Sequence, residues 1–205
     1  MALVIFDYDG VLADTLDDLI RFGQEACNRL GVNHVVTKDD LSNLEVMSFA
    51  TFGRACEVPE HLIDEFVTIS LNLFAEKESP PAIFDGLSEV ISHLAARHKI
   101  AIVTTNSSQN VHAFLAKHGL ANLVHAIYGV DTPGSKAQKI SLARERFREQ
   151  SVFMIGDALS DIRAAKEAGV TSIAVTWGHQ RLEILLRGKP DYMVESPRQV
   201  IKTVK

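Results

Sequence analysis

From the Pro80-Pro81 break onward, short amphipathic helical patterns alternate with strand-length apolar runs, and few architectures accommodate such an alternation. A helix carrying Leu87, Val90, Ile91 and Leu94 leads to a strand over Lys99 to Thr105, then to a helix with Val111, Phe114 and Leu115 closed by Gly119. A strand over Ala126 to Val130, a helix over Ala137 to Arg148 and a strand over Val152 to Ile155 follow. A helix over Asp161 to Ala168, a strand over Thr171 to Thr176 and an edge at Tyr192 to Val194 complete the series. Units of these lengths predict right-handed crossovers and a parallel sheet with helices on both faces. One more buried strand, Ala2 to Phe6, stands apart at the start of the chain.

Between that first strand and the series, residues 15–82 read as helical. Leu16, Leu19, Ile20, Gly23, Ala26, Cys27 and Leu30 recur at helical spacing, with Thr15 placed as N-cap and Gly31 as the stop. A second helix is expected within Leu41 to Ala55 and a third after Pro59, with no strand anywhere in the segment. The expected fold is therefore α/β: a Rossmann-like core from residues 1–14 plus 83–205, with an α-helical cap inserted at 15–82 after the first strand.

Charge and apolar patterning exclude several function classes. The longest apolar runs are strand-length, far short of the ~20 residues of a membrane span, and the first runs straight into Asp7 and Asp9 with no basic flank. No membrane partner is expected, and the expected location is the cytoplasm. Residues 15–82 carry 12 acidic and 5 basic side chains, a balance of −7, and the other 137 carry 14 and 16. Neither portion offers the basic face that nucleic acid requires, so none is expected as a partner. The two cysteines, Cys27 and Cys56, make no disulfide framework and read as buried side chains.

Ligands of an open α/β sheet bind beyond the carboxyl ends of its strands, which gives priority to four polar clusters. These are Asp7-Tyr8-Asp9-Gly10, Thr104-Thr105-Asn106-Ser107, Ser135-Lys136 and Gly156-Asp157 with Asp161. Two carboxylates two residues apart repel unless a cation or proton lies between them. An Asp-Gly turn and a helix N-cap would explain either acidic cluster alone. Both at strand ends in one small sheet point instead to oxygen ligation of Mg²⁺. The Thr-Thr-Asn-Ser-Ser run enters a helix and offers hydroxyls and free N–H groups to an anion. Lys136 would add charge, with Lys139 competing for that role. Cation, anion nest and lysine together describe a phosphate site.

These residues resemble the four motifs of the haloacid dehalogenase-like hydrolase superfamily in their usual order: Asp7 to Thr15, Thr104, Lys136, and Gly156 to Asp161. The helical insertion resembles the cap of the phosphoglycolate phosphatase and β-phosphoglucomutase branch. The resemblance implies Asp7 as the nucleophile of an aspartyl-phosphate mechanism and Asp9 as general acid and base. It implies Mg²⁺ held by Asp7, Asp9 through its carbonyl, and Asp157, with Asp161 as ligand or neighbour of the ligands. Thr104, Thr105, Asn106 and Lys136 would bind the phosphoryl oxygens. The expected activity is that of a Mg²⁺-dependent phosphatase acting on a small phosphorylated metabolite, as a monomer or homodimer.

Asp9 favours phosphoryl transfer over dehalogenation, because only a departing alkoxide needs a proton. Leu19 stands where β-phosphoglucomutases carry a cap histidine, which counts against the mutase alternative. Met47-Ser48-Phe49 lacks the glycine found in many phosphoglycolate phosphatases, which counts against phosphoglycolate itself. A receiver-type signalling module, the alternative from another class, has no helical insertion after its first strand. Of the remaining residues, Trp177 reads as packing, Arg54 as the candidate cap contact to substrate, and the eight histidines, His179 among them, show no ligand spacing.

Overall fold

The computed structural model describes residues 1–77 and 79–204. Glu78 and Lys205, which fall within the expected cap and at the end of the expected core, lie outside the described residues. In chain order the elements begin β1 (Ala2–Phe6), β2 (Ala13–Asp14), α1 (Leu16–Arg29), α2 (Lys38–Ser42), α3 (Phe49–Ala55), α4 (Ile63–Ala75) and β3 (Ala82–Ile83). They continue α5 (Leu87–Ala95), β4 (Lys99–Val103), α6 (Ser108–Lys117), β5 (Ala126–Tyr128), α7 (Lys136–Phe147), β6 (Ser151–Gly156) and α8 (Leu159–Glu167). The chain closes with β7 (Thr171–Val175), α9 (Leu182–Arg187), β8 (Tyr192–Val194) and α10 (Pro197–Thr203).

Six strands form one sheet in the order β5-β4-β1-β6-β7-β8, and every pairing in it is parallel. The alternation that predicted a parallel sheet is realised because each strand is apolar on both faces. Val4 and Phe6 of β1 pack with Leu87, Ile91 and Phe114 from α5 and α6. Leu3 and Ile5 turn the other way, toward Ala137 and Ile140 of α7 and Ala165 of α8. Chain order reverses at β1, which lies between β4 and β6, so a crevice opens beyond its carboxyl end. Phe6 stands in register with Ile102 and Ile155, and the residues just after all three therefore emerge at one level.

Helices α1 to α4 share a separate apolar cluster, with Cys27, Leu41, Phe52, Cys56 and Phe66 buried in it. Gly23 of α1 lets that helix press against Phe52, whose ring a Cβ would approach to 2.6 Å. The structure differs from expectation in three places. The helix expected within Leu41 to Ala55 is α3, confined to the second half of that stretch because Ser48 caps its start, its hydroxyl accepting from the Thr51 N–H at 3.1 Å, and a separate short helix, α2, begins before the stretch at Lys38. Ala82, expected in a strand-free segment, pairs with Asp14 in the short antiparallel β2–β3 ladder, which ties together the two passages of chain into and out of the helical unit. Thr15 occupies the N-cap position of α1 but makes no capping hydrogen bond. No helix among the described residues is long and apolar enough to cross a membrane.

Candidate active site

The crevice beside β1 is built from loops that hold carboxylates at fixed places. After β1, Asp7 donates its N–H to Ile155 O at 2.8 Å, and the Tyr8 carbonyl then accepts from Val11, Leu12 and Ala13 in a tight turn. Gly10 makes this turn at φ +74°, a left-handed conformation that also spares Asp157, since a Cβ would lie 2.1 Å from its Oδ2. Gly156 ends β6 for a similar reason: a Cβ there would lie 2.2 Å from that of Asp161.

Asp7, Asp157 and Asp161 are all buried, and one oxygen of each lies within 4.8 Å of the other two. Lys136, at the start of α7, is the cation beside them, with Nζ 3.0 Å from Asp7 Oδ2 and 2.5 Å from Asp161 Oδ1. Ser135 and Gln138 fix that helix start with a capping box. Burial acts to lower the Lys136 pKa, but Asp161 and Asp7 outweigh it and hold the ammonium above its ordinary value. Burial also pushes Asp7 well above the usual carboxylate range, against the pull of Lys136. Burial and then Asp161 push Asp157 to about 7.

The cluster therefore holds more buried negative charge than Lys136 balances, and Asp7 Oδ1 is enclosed without a hydrogen-bond partner. All-oxygen donors, an orphaned carboxylate oxygen and an excess of negative charge fit a hard divalent cation. Both Asp161 oxygens are already engaged, Oδ1 by Lys136 and Oδ2 by the Ala158 N–H at 3.1 Å.

Asp9 stands outside this cluster. Its Oδ2 accepts from Asn106 Nδ2 at 3.0 Å, and burial raises its pKa against the pull of Asn106. Thr104 is buried at the end of β4, its hydroxyl accepting from the Asn106 N–H at 3.0 Å. Thr105 is exposed at the mouth of the same loop. Lys139 does not join the site. Its Nζ donates to Gly129 O at 2.6 Å, behind the Thr104 loop, and burial lowers its pKa.

Sequence reasoning missed His179. Its N–H donates to Asp157 Oδ2 at 2.7 Å, while its ring Nε2 lies 3.3 Å from the Thr15 hydroxyl. Burial lowers the pKa of the ring. Trp177, expected to pack, also donates Nε1–H to Val11 O at 3.2 Å and so braces the turn after Asp9. The only advance signal was position, a Trp-Gly-His run just beyond a strand.

A cavity of about 170 Å³ reaches Asp9 from the helical unit, lined among others by Thr15, Phe74, Lys77, Asn106 and Asn110. Lys77 is ion-paired with Asp18 there. Arg54, the expected cap contact, is not among the lining residues; it pairs with Glu60 across the exposed face of the unit. Leu19 packs in the helical unit's own core. A wider groove lined by Arg21, Glu25 and Asn28 contains none of the strand-end residues.

Known proteins match the chain from end to end. A phosphoglycolate phosphatase from Synechococcus elongatus is 27% identical over 209 residues, covering 100% of this chain and 97% of that protein. A haloacid dehalogenase-like hydrolase from Streptococcus pneumoniae superposes with a TM-score of 0.86 at 22% identity, over 99% and 98% of the two chains. A β-phosphoglucomutase-like structure from Thermotoga maritima superposes less closely, with a TM-score of 0.69 at 22% identity over the full length of both. Residues 4–175 carry the sequence pattern of the haloacid dehalogenase-like hydrolases, and the chain belongs to that family.

Proposed function

We propose that the protein is a phosphatase that hydrolyses a small phosphomonoester through an aspartyl-phosphate on Asp7. The observation that carries this reading is the buried cluster of Asp7, Asp157 and Asp161 with Lys136 ion-paired to it, beside the end of β4 that carries Thr104, and with Asp9 lining a small cavity. A carboxylate of Asp7 attacks phosphorus as the ester P–O bond breaks, and Asp9 gives its proton to the departing oxygen. Water then attacks the phosphorus of the acyl phosphate, Asp9 takes a proton from it, and inorganic phosphate leaves as the Asp7 carboxylate is restored.

The raised pKa of Asp9 suits a group that must carry a proton into the first step. Thr104, the N–H groups around Thr105 and Asn106, and the Lys136 ammonium supply donors for the developing charge on the phosphoryl oxygens. Asp7, Asp157 and the carbonyl of Asp9 would hold Mg²⁺, with Asp161 keeping Lys136 in place. The ion supplies charge neutralisation between two anions that would otherwise repel.

Segment 15–82 acts as a cap whose cavity receives the part of the substrate that is not phosphate. A volume of about 170 Å³ is below the ~300–1,000 Å³ of pockets for drug-sized ligands, which favours a leaving group of a few heavy atoms. Leu19 offers no proton-bearing group for a mutase-type return of phosphate, so transfer to water is favoured.

The test is phosphate release from a panel of phosphomonoesters with Mg²⁺, run beside Asp7→Asn. Release from small substrates by the wild type and none by the variant is expected. No release from any member, or equal release by the variant, overturns the proposal.

A further inference from the structure

We propose that the helical unit carries a second metal site, for an ion of the zinc class, held by His34, Asp40 and Cys56. The three residues come from separate pieces of chain: the loop after α1, helix α2, and the residue that ends α3. One donor atom of each lies within 4.8 Å of the other two. Thiolate, imidazole and carboxylate together suit Zn²⁺, whereas the all-oxygen set of the crevice suits Mg²⁺.

The local geometry supports binding beyond proximity. His34 Nε2 is enclosed and faces Asp40 Oδ2 at 3.2 Å. That separation is close to the roughly 3.3 Å between nitrogen and oxygen ligands along one edge of a zinc tetrahedron. The surroundings already orient one of the ligands. Thr37 donates its N–H and hydroxyl to Asp40 Oδ2 at 2.7 and 3.0 Å.

Cys56 is fully buried, and burial keeps its thiol protonated. Metal binding therefore displaces one proton, as Cys56 S–H and the ion become a metal–sulfur bond and H⁺, with no change of oxidation state. His34 and Asp40 are half-buried, so water can fill the fourth position. The site is separate from the crevice and does not depend on the phosphatase reading.

The test titrates metal-free, full-length protein with Zn²⁺ and Co²⁺ under reducing conditions, using wild type, His34→Ala and Asp7→Asn. The Co²⁺ form of wild type should show a thiolate-to-cobalt absorption band in the near ultraviolet that saturates at one ion per chain, with about one proton released for the ion that enters this site. Asp7→Asn should keep that band, because its lesion is in the other site. The half-buried His34→Ala should weaken binding by at least ~100-fold. Absence of the thiolate band in wild type, its loss in Asp7→Asn, or unchanged affinity in His34→Ala overturns the proposal.

Discussion

Gly178→Ala tests whether close packing around Asp157 sets the crevice geometry. A Cβ at this position would lie 2.3 Å from Asp157 Cβ, 2.4 Å from its Oδ2 and 2.6 Å from the Gly10 carbonyl. Carbon atoms rest at ~3.5–4.0 Å from their neighbours, so something must move by roughly 1 Å. Gly178 carries no positive φ, so the cost is steric alone. The groups that would yield are the Asp157 carboxylate, held by the His179 N–H, and the turn that carries Asp9. Overpacking of this kind costs about 1–3 kcal/mol. In a chain of this size that lowers Tm by roughly 2–12 °C. A ~1 Å displacement of a positioning group costs ~10²-fold in rate. We expect kcat/KM for a small phosphomonoester to fall about 100-fold and half-saturating Mg²⁺ to rise. Gly119→Ala is the control. Gly119 has φ +70° with no neighbour within 4 Å of a Cβ, so Ala strains the backbone but touches nothing in the crevice. A Gly178→Ala enzyme with lowered Tm but wild-type kcat/KM and Mg²⁺ dependence would refute the reasoning.

Asp9→Asn should lower activity ~10²–10⁴-fold on alkyl phosphates and least on p-nitrophenyl phosphate, whose leaving group needs no proton; equal losses across leaving groups would give Asp9 another role. Chelation should stop turnover, Mg²⁺ should restore it, and Ca²⁺ should restore it poorly because it prefers more ligands at longer distances; full activity in excess chelator would exclude the acidic cluster as a required metal site. Lys77→Met should raise KM about tenfold for substrates with a carboxylate on the leaving group, roughly 1.4 kcal/mol, and leave neutral ones near wild type; the comparison is by steady-state kinetics. Asp191 accepts from the Ser172 N–H and hydroxyl at 2.8 and 2.7 Å, bonds that lower its pKa. Its contribution to stability is therefore present above the unfolded-state pKa of ~3.9 and lost as pH falls through the lower folded value. Denaturant melts should show Asp191→Asn less stable at pH 7 and level with wild type at strongly acid pH.

The sheet was legible because its strands are short and apolar on both faces, and because the helices between them show a different period. Boundaries were less so. The strand expected to reach Thr105 ends at Val103: Thr104 still donates its N–H to Tyr128 O of β5 at 3.0 Å, and the chain then turns so that Asn106 meets Asp9. The expected start at Asp161 comes two residues early, at Leu159, since Asp161 itself reaches back to the Ala158 N–H. The break between α2 and α3 was hidden because Leu41, Leu44, Met47 and Phe49 remain apolar through the turn and pack in one cluster whether or not the helix continues.

The acidic clusters were legible for a physical reason too: carboxylates at strand ends are costly unless a cation repays them, so their recurrence carries meaning by itself. His179, Gln180 and Arg181 carry no such mark, and their roles come wholly from partners far away in the chain. His179 meets Thr15, 164 residues away. Gln180 Nε2 donates to Leu44 O at 2.6 Å across 136 residues, while its Oε1 accepts from the Leu159 N–H at 2.6 Å. Arg181 pairs with Asp39 at 2.6 Å across 142. Three consecutive residues thus run from the Asp157 carboxylate to helix α2 and the loop after it. A displacement of that unit must break or carry along the segment that also holds Asp157. The helical unit and the acidic cluster are therefore mechanically joined through one short loop, by contacts that exist only once the chain has closed on itself.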